Sequence, residues 1–219
     1  MSRKSMRAHP VMAISTAAVL LAGCAAAPVP QASTAEAVTS EQYVGDWGMV
    51  SYDVDPLTNT DQLLQWASVV ATGRIVSFSQ GRLEGATVAY RPVVAKVDHV
   101  ALLRGELAEN SDGFLYVALT APAGPEAVTE AVPAGTPVLI YGTPTMTQDA
   151  KSEALHIVSG LPPDQELYRP VHPVGFVLQY GSAQDPVLVF PDAAAIGENQ
   201  TLADAFPGQQ LFLDFDEEG

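Results

Sequence analysis

One cysteine in 219 residues strongly constrains how this chain can fold. Cys24 lies early, between an apolar run and an Ala- and Pro-rich stretch, and no second cysteine follows it. The chain therefore cannot form an intramolecular disulfide or a site built from several thiolates. Apolar residues make up 47% of the sequence, so we expect a fold that depends on its hydrophobic core alone.

The residues before the cysteine have the layout of a secretory signal. Arg3, Lys4 and Arg7 give a basic start, and no charge interrupts the run from 11 to 22. A helical run of about twelve residues extends about 18 Å, which is short of a hydrocarbon core of about 30 Å. We therefore predict that residues 1–23 are a signal peptide that is removed.

The end of this run resembles the lipobox of bacterial lipoproteins at all four positions, Leu21, Ala22, Gly23 and Cys24. In that class a diacylglycerol is attached to the cysteine sulfur, and the acylated cysteine becomes the first residue of the mature protein. The resemblance implies a lipid anchor on Cys24 that attaches the protein to the cell membrane on its extracytoplasmic face. Two acyl chains make such an anchor stable, whereas one holds only marginally.

The remaining chain divides into two parts. Residues 24–40 are predicted to be the lipidated cysteine and a flexible tether, because they are mostly Ala, Pro, Ser and Thr with one charge. A flexible segment of about sixteen residues reaches about 20–24 Å. Residues 41–219 are predicted to form a single domain, and no later stretch is long and apolar enough to cross a membrane.

The charge of the mature chain restricts its partners. The whole sequence has 10 Lys and Arg against 25 Asp and Glu. Loss of the three basic residues of the signal leaves 10 − 3 = 7, so the formal charge becomes 7 − 25 = −18. Phosphate contacts need clustered Lys and Arg, so we predict no nucleic-acid partner. The same charge disfavours contact of the domain itself with an anionic membrane surface.

Strand patterns dominate the domain. A short helix is predicted after the capping residues Asn59 and Thr60, and a second at 202–206 after Thr201. Period-two and β-branched patterns predict strands at 69–78, 93–100, 114–120, 137–142, 175–180 and 187–190, with a further strand at 212–215.

These elements predict a mainly β fold, a small antiparallel β-barrel with two short helices. Residues 121–136 and 143–173 are predicted to be long connections, and the second contains a candidate short strand at 154–158. The segment order over residues 60–207, with the strand exit at 103–105, resembles small secreted bacterial proteins with an OB-like barrel of the netrin-like and tissue-inhibitor kind. Inhibitors of that kind use an N-terminal cysteine and disulfides to bind a protease zinc. Cys24 would be acylated here, so we do not transfer that activity.

The histidines do not have the spacing of a metal motif. His99, His156 and His172 match no zinc pattern, so we predict no metal site and no cofactor. His99 shares a face with Val93, Ala95 and Val97, which predicts an inward-facing histidine. The acidic turn at 53–61 lacks the Gly and Glu of an EF-hand loop, although a looser calcium site there stays open.

We therefore expect a lipid-anchored extracytoplasmic binding module of the bacterial cell envelope, and not an enzyme. Its partner could be an envelope protein, a glycan or a small ligand, and the sequence does not define its oligomeric state. Tyr168, Arg169 and His172 are the predicted binding residues, because an aromatic, a basic residue and prolines cluster there in a long loop. The alternative is a membrane-anchored enzyme whose site combines histidines with distant carboxylates.

Overall fold

The structure is a computed structural model. The lipobox, the tether and the predicted strand at 212–215 lie outside the residues that it describes, as do the first residues of the predicted calcium turn. The described residues are 47, 57, 59–84, 92–109, 111–145, 156–159, 161–193 and 195–208.

Strands greatly outnumber helices in the described part of the chain. The α-helices are α1 (Thr60–Trp66) and α2 (Gly124–Ala131). The strands are β1 (Val69–Gln80), β2 (Arg82–Glu84), β3 (Val93–Arg104), β4 (Leu115–Leu119), β5 (Pro137–Pro144), β6 (His156–Ser159), β7 (Leu167–Pro170), β8 (Phe176–Gly181), β9 (Pro186–Phe190) and β10 (Ala195–Glu198).

Five strands close a barrel, as the sequence predicted. The order around the barrel is β1–β3–β4–β7–β5, and β5 pairs with β1 to complete the circle. Four of these five pairings are antiparallel, whereas β4 and β7 are parallel. These five pairings close the circle in the Greek-key strand order of an OB-like barrel.

A second group of strands extends from β5. One edge of β5 pairs with β7 over 142–144 and with β8 over 138–140. A 3₁₀ turn, Pro173–Gly175, separates β7 from β8. β8 pairs with β9, and β9 pairs with β10, both antiparallel. The shared strand β5 therefore joins the barrel to a small antiparallel extension.

The shared strands have a hydrophobic layer on each face. Inside the barrel, side chains from all five strands pack with Val128 of α2 and with Trp47. On the outer side of β1, β5, β8 and β9, a second cluster contains Leu63 of α1 and Ala67, the residue that follows this helix. The Tyr141 hydroxyl donates to the Ala205 carbonyl oxygen at 2.8 Å, which attaches the segment after β10 to this outer layer.

The six strands predicted within the described residues agree closely with observed strands, but only one predicted helix does. α1 begins after Asn59, whose side chain accepts a hydrogen bond from the Gln62 N–H at 3.2 Å. The helix predicted at 202–206 is wrong, because that segment forms turns in which the Asp204 carboxylate accepts from Thr201. The second helix is instead α2, inside the predicted loop at 121–136.

Two predicted local structures need correction. The segment 143–173 is not one long loop. β6 overlaps the candidate short strand at 154–158, β7 was not predicted, and the two strands pair with β2, β4 and β5. His99 is not inward-facing: its side chain is 79% exposed and its φ is 49°. Two residues of β3, His99 and Val100, face the single Gly73 of β1, and this β-bulge ends the alternation that the sequence pattern assumed.

Candidate binding surface

The three predicted binding residues do not share one surface. Tyr168 belongs to β7 and is buried in the barrel core, where its hydroxyl donates to the Glu166 carboxylate at 3.0 Å. Burial, followed by this contact, raises the pKa of Tyr168. Arg169, the next residue along the strand, is exposed. Successive strand residues point to opposite faces, so the barrel closure separates the two side chains.

His172 lies in the outer layer, next to α1. It is 6% exposed, and its Nδ1 accepts a hydrogen bond from the Val174 N–H at 3.3 Å, which caps the 3₁₀ turn. Its ring lies 6.4 Å from the Trp66 ring, centre to centre. These contacts give His172 a structural role in joining α1 to the β7–β8 connection. Its predicted binding role, like that of Tyr168 and Arg169, stays a prediction.

A different group of polar and aromatic side chains meets on the outer face of β3 and β4. Lys96 pairs directly with Tyr116, and its Nζ lies 3.5 Å from the centre of the Phe114 ring and 5.9 Å from that of Tyr116. Such a distance permits a cation–π interaction. Phe114 and Lys96 are half-buried, so both reach the surface. We call Lys96, Phe114 and Tyr116 the lysine–aromatic surface.

An acidic turn fixes the position of these aromatic rings. Asp112 accepts hydrogen bonds from the Phe114 N–H at 3.1 Å and from the Tyr116 hydroxyl at 2.8 Å. Burial raises the pKa of Tyr116 to about 12, and the Asp112 hydrogen bond and charge add to the effect. Tyr116 therefore stays neutral and donates to Asp112 under ordinary conditions. The Gln165 side chain accepts from the Asp112 N–H at 3.1 Å, which connects this turn to the segment before β7.

Apolar packing supports the lysine–aromatic surface from below. Tyr116, Val94 and Leu167 form a small buried cluster with Phe114 and Leu161 at its edge. This cluster uses the outer face of β3, β4 and β7, whereas the barrel core uses their inner face. Buried side chains of the barrel therefore support the lysine–aromatic surface.

The connection between β1 and β3 and the connection between β5 and β7 form a separate two-stranded sheet. β2 lies between β1 and β3, β6 lies between β5 and β7, and the two pair antiparallel. In OB-like barrels, the connections in these positions border the binding face of the second and third barrel strands. In this chain those strands are β3 and β4, which carry the lysine–aromatic surface.

The described residues contain no group of three or more His, Cys, Asp or Glu placed to hold a metal ion. The His99 Nε2 lies 3.6 Å from an Asp98 carboxylate oxygen on an exposed part of β3. His156 lies in β6 and His172 is buried beside α1. The enzyme alternative and the loose calcium turn at 53–61 therefore stay predictions.

The sequence patterns missed the lysine–aromatic surface. The alternation in β3 correctly placed Lys96 on the face opposite Ala95 and Val97, and 114–120 was predicted as a strand. Neither pattern gives the register between β3 and β4, which sets Lys96 opposite Tyr116. The Asp-x-Phe-x-Tyr spacing from Asp112 to Tyr116 was the available local signal, because an Asp before a strand often bonds the backbone two residues on.

No protein-family model, no curated protein and no solved structure matches this chain. Among the described residues, no helix is long and apolar enough to cross a membrane.

Proposed function

We propose that this chain is a lipid-anchored binding module on the extracytoplasmic face of a bacterial cell membrane. The lipobox at 21–24, the preceding basic and apolar segments and the tether at 25–40 support the anchor. The OB-like barrel and its lysine–aromatic surface support the binding role. The partner is an envelope protein or a glycan.

The lysine–aromatic surface carries this proposal. Phe114 presents apolar area at the surface, and the Lys96 ammonium above it has three N–H donors. Asp112 and Gln165 add oxygen and amide groups at the rim. A ligand with an apolar or C–H-rich face and nearby oxygen acceptors fits this chemistry, as a sugar ring or a peptide segment does. The acidic balance of the chain disfavours strongly anionic ligands.

The anchor is tested by changing the acylated residue. Cys24→Ala removes the sulfur that would carry the lipid, so the protein should move from the membrane fraction to the soluble fraction. Ala25→Gly is the matched control, because it keeps all four lipobox residues, and it should remain with the membrane. Retention of Cys24→Ala in the membrane fraction would contradict the lipid anchor.

The binding surface is tested by site-specific crosslinking in the native envelope. A photoreactive amino acid at Phe114 should give one dominant adduct, and mass spectrometry of that adduct would identify a protein or a glycan. The same group at Thr129, an exposed position of α2, provides the control. Phe114 adducts no stronger than those from Thr129 would exclude this surface, even if the anchor were correct.

A further inference from the structure

The second half of β3 has an exposed edge that the barrel does not use. The ladder between β3 and β4 ends at Val97 and Leu115. Beyond it, residues 98–104 pair with β1 on one side, and within the described part of the chain no strand pairs with them on the other. Leu102 is 40% exposed and Leu103 48%. We call residues 98–104 the β3 edge.

An exposed tryptophan lies beside this edge. The Arg104 guanidinium donates to the Leu64 carbonyl oxygen of α1, and the Gly105 backbone lies against Ser68. Trp66, which is 48% exposed, is therefore on the segment next to the end of the β3 edge. Exposed tryptophan and leucine side chains in one region are typical of interaction surfaces.

The β3 edge has an approximately two-fold symmetric pattern around Ala101. Asp98, Ala101 and Arg104 pair with Arg74, Thr72 and Val70 of β1, alternate residues that share the outer face of the sheet. Extra residues of β3 interrupt the ladder at His99 and at Leu103, two positions on each side of Ala101. Acidic Asp98 begins the segment and basic Arg104 ends it.

We propose that a second copy of this chain pairs with the β3 edge in the antiparallel direction, centred on Ala101. In this register Asp98 faces the partner subunit's Arg104, and Arg104 faces the partner subunit's Asp98. Val100 faces the partner subunit's Leu102, and the bulged His99 faces the partner subunit's bulged Leu103. A two-fold axis through Ala101 thus matches charge with opposite charge and bulge with bulge.

A second copy fits this edge better than the other occupants of an exposed strand. The two Asp98–Arg104 pairs offset the repulsion between two acidic chains at the point of contact. A basic peptide would meet Asp98 favourably but would place a like charge against Arg104. An anionic lipid surface would meet Glu106 and Glu109, which are exposed directly after the edge. Edge strands pair with extended segments of other chains when nothing covers them.

Disulfide trapping tests the register. Residues directly opposed across an antiparallel pair have Cα atoms about 4.5–5.5 Å apart, within the disulfide range of about 4.4–6.8 Å. Ala101→Cys in the full-length protein, oxidised in native membranes, should give a disulfide-linked homodimer as the major product. Thr129→Cys on α2 and the unmodified chain, whose one cysteine is Cys24, are the controls and should stay near background. Ala101→Cys at background level, or linked mainly to another protein, would overturn the proposal.

Charge reversal in the Ala101→Cys background tests the pairing itself. Asp98→Arg or Arg104→Asp alone places like charges opposite each other at both ends, so the dimer yield should fall about fivefold. The double variant restores opposite charges and should restore the yield, although it loses the same contact to Leu64 as Arg104→Asp does. A double variant that traps no more dimer than the single variants would contradict the antiparallel register.

Discussion

Both halves of β3 contain apolar residues, but the surroundings of the two halves differ. Val93–Val97 pairs with β1 on one side and β4 on the other, and four of its five residues are buried. Residues 98–104 pair with β1 alone in the described structure and are largely exposed, although they include Val100, Leu102 and Leu103. The buried residues of β3 are therefore concentrated where a second strand, β4, pairs beside them.

The β-bulges explain why the change is abrupt. Up to Val97, alternate residues point into the barrel, as period-two packing requires. At His99 the strand gains an extra residue, and at Leu103 it gains another. Each bulge changes the facing of the residues after it and increases the local twist. The ladder between β3 and β4 ends at Val97 and Leu115, just before the first of these bulges.

The largest expected difference is between the same substitution beside the first half, in its partner strand β4, and within the second half. Leu115 is fully buried and pairs with Val97, so Leu115→Ala should lower the free energy of unfolding by about 2–5 kcal/mol. Leu102→Ala removes the same atoms from a side chain that is 40% exposed, so the loss should be about 0.5 kcal/mol. Urea unfolding of both variants measures the difference, and equal losses would show that the second half is also buried.

The contact at the bulge is expected to have the next largest effect. A Cβ on Gly73 would lie 2.5 Å from Val97 Cγ1 and 2.6 Å from the Asp98 carbonyl oxygen, at the junction of the two halves. Gly73→Ala should therefore cost about 1–3 kcal/mol through overpacking. Gly142→Ala is the control, because its nearest contacts are 3.5–3.6 Å. If urea midpoints moved equally, β1 and β3 would not approach closely at Gly73.

The sequence predicted the first half of β3 well because its residues follow one simple rule. Alternation assigned Val93, Ala95 and Val97 to the core, and the number and order of such strands indicated a barrel. The same rule failed at His99, since a bulge depends on the approach of Gly73 in another strand and not on local composition. An alternation pattern in one strand does not indicate where its partner strand ends.

Sites that depend on pairing between distant strands were equally hard to predict. Lys96 and Tyr116 become neighbours only through the β3–β4 register. Tyr168 and His172 are four positions apart in sequence, but the barrel closure buries one in the inner core and the 3₁₀ turn buries the other beside α1. The proline-rich composition of this segment suggested a loop. The strand β7 was missed because it is only four residues long and pairs with the distant strands β4 and β5.

The pH dependence of stability tests the paired half of β3 through Tyr116 of β4, which pairs with Lys96. The pKa of Tyr116 is about 12 in the folded protein and about 10 in the unfolded chain. As the pH rises, the unfolded chain therefore loses the Tyr116 proton before the folded protein does. The stability that Tyr116 contributes is complete below about pH 10 and falls between about pH 10 and 12. Tyr116→Phe should cost about 1 kcal/mol at about pH 7 and should reduce the alkaline loss of stability. Asp112→Asn is the companion variant, and an unchanged alkaline profile in Tyr116→Phe would contradict this account.

The smallest effect tests the bulge at the start of the exposed half. At φ 49°, His99 occupies the left-handed region, which costs an L-residue other than glycine about 1–2 kcal/mol. His99→Gly removes that cost but adds about 0.5–1 kcal/mol of backbone entropy, so the free energy of unfolding should rise by about 0.5 kcal/mol. The exposed Asp98 contact at 3.6 Å contributes little to the balance.

Ala101→Gly, in the same half but opposite Thr72 in the ladder, should instead destabilise by about 0.5–1 kcal/mol. Opposite signs in thermal melts would support the bulge, whereas a loss in both variants would show that His99 follows the regular strand and that the edge is not symmetric about Ala101.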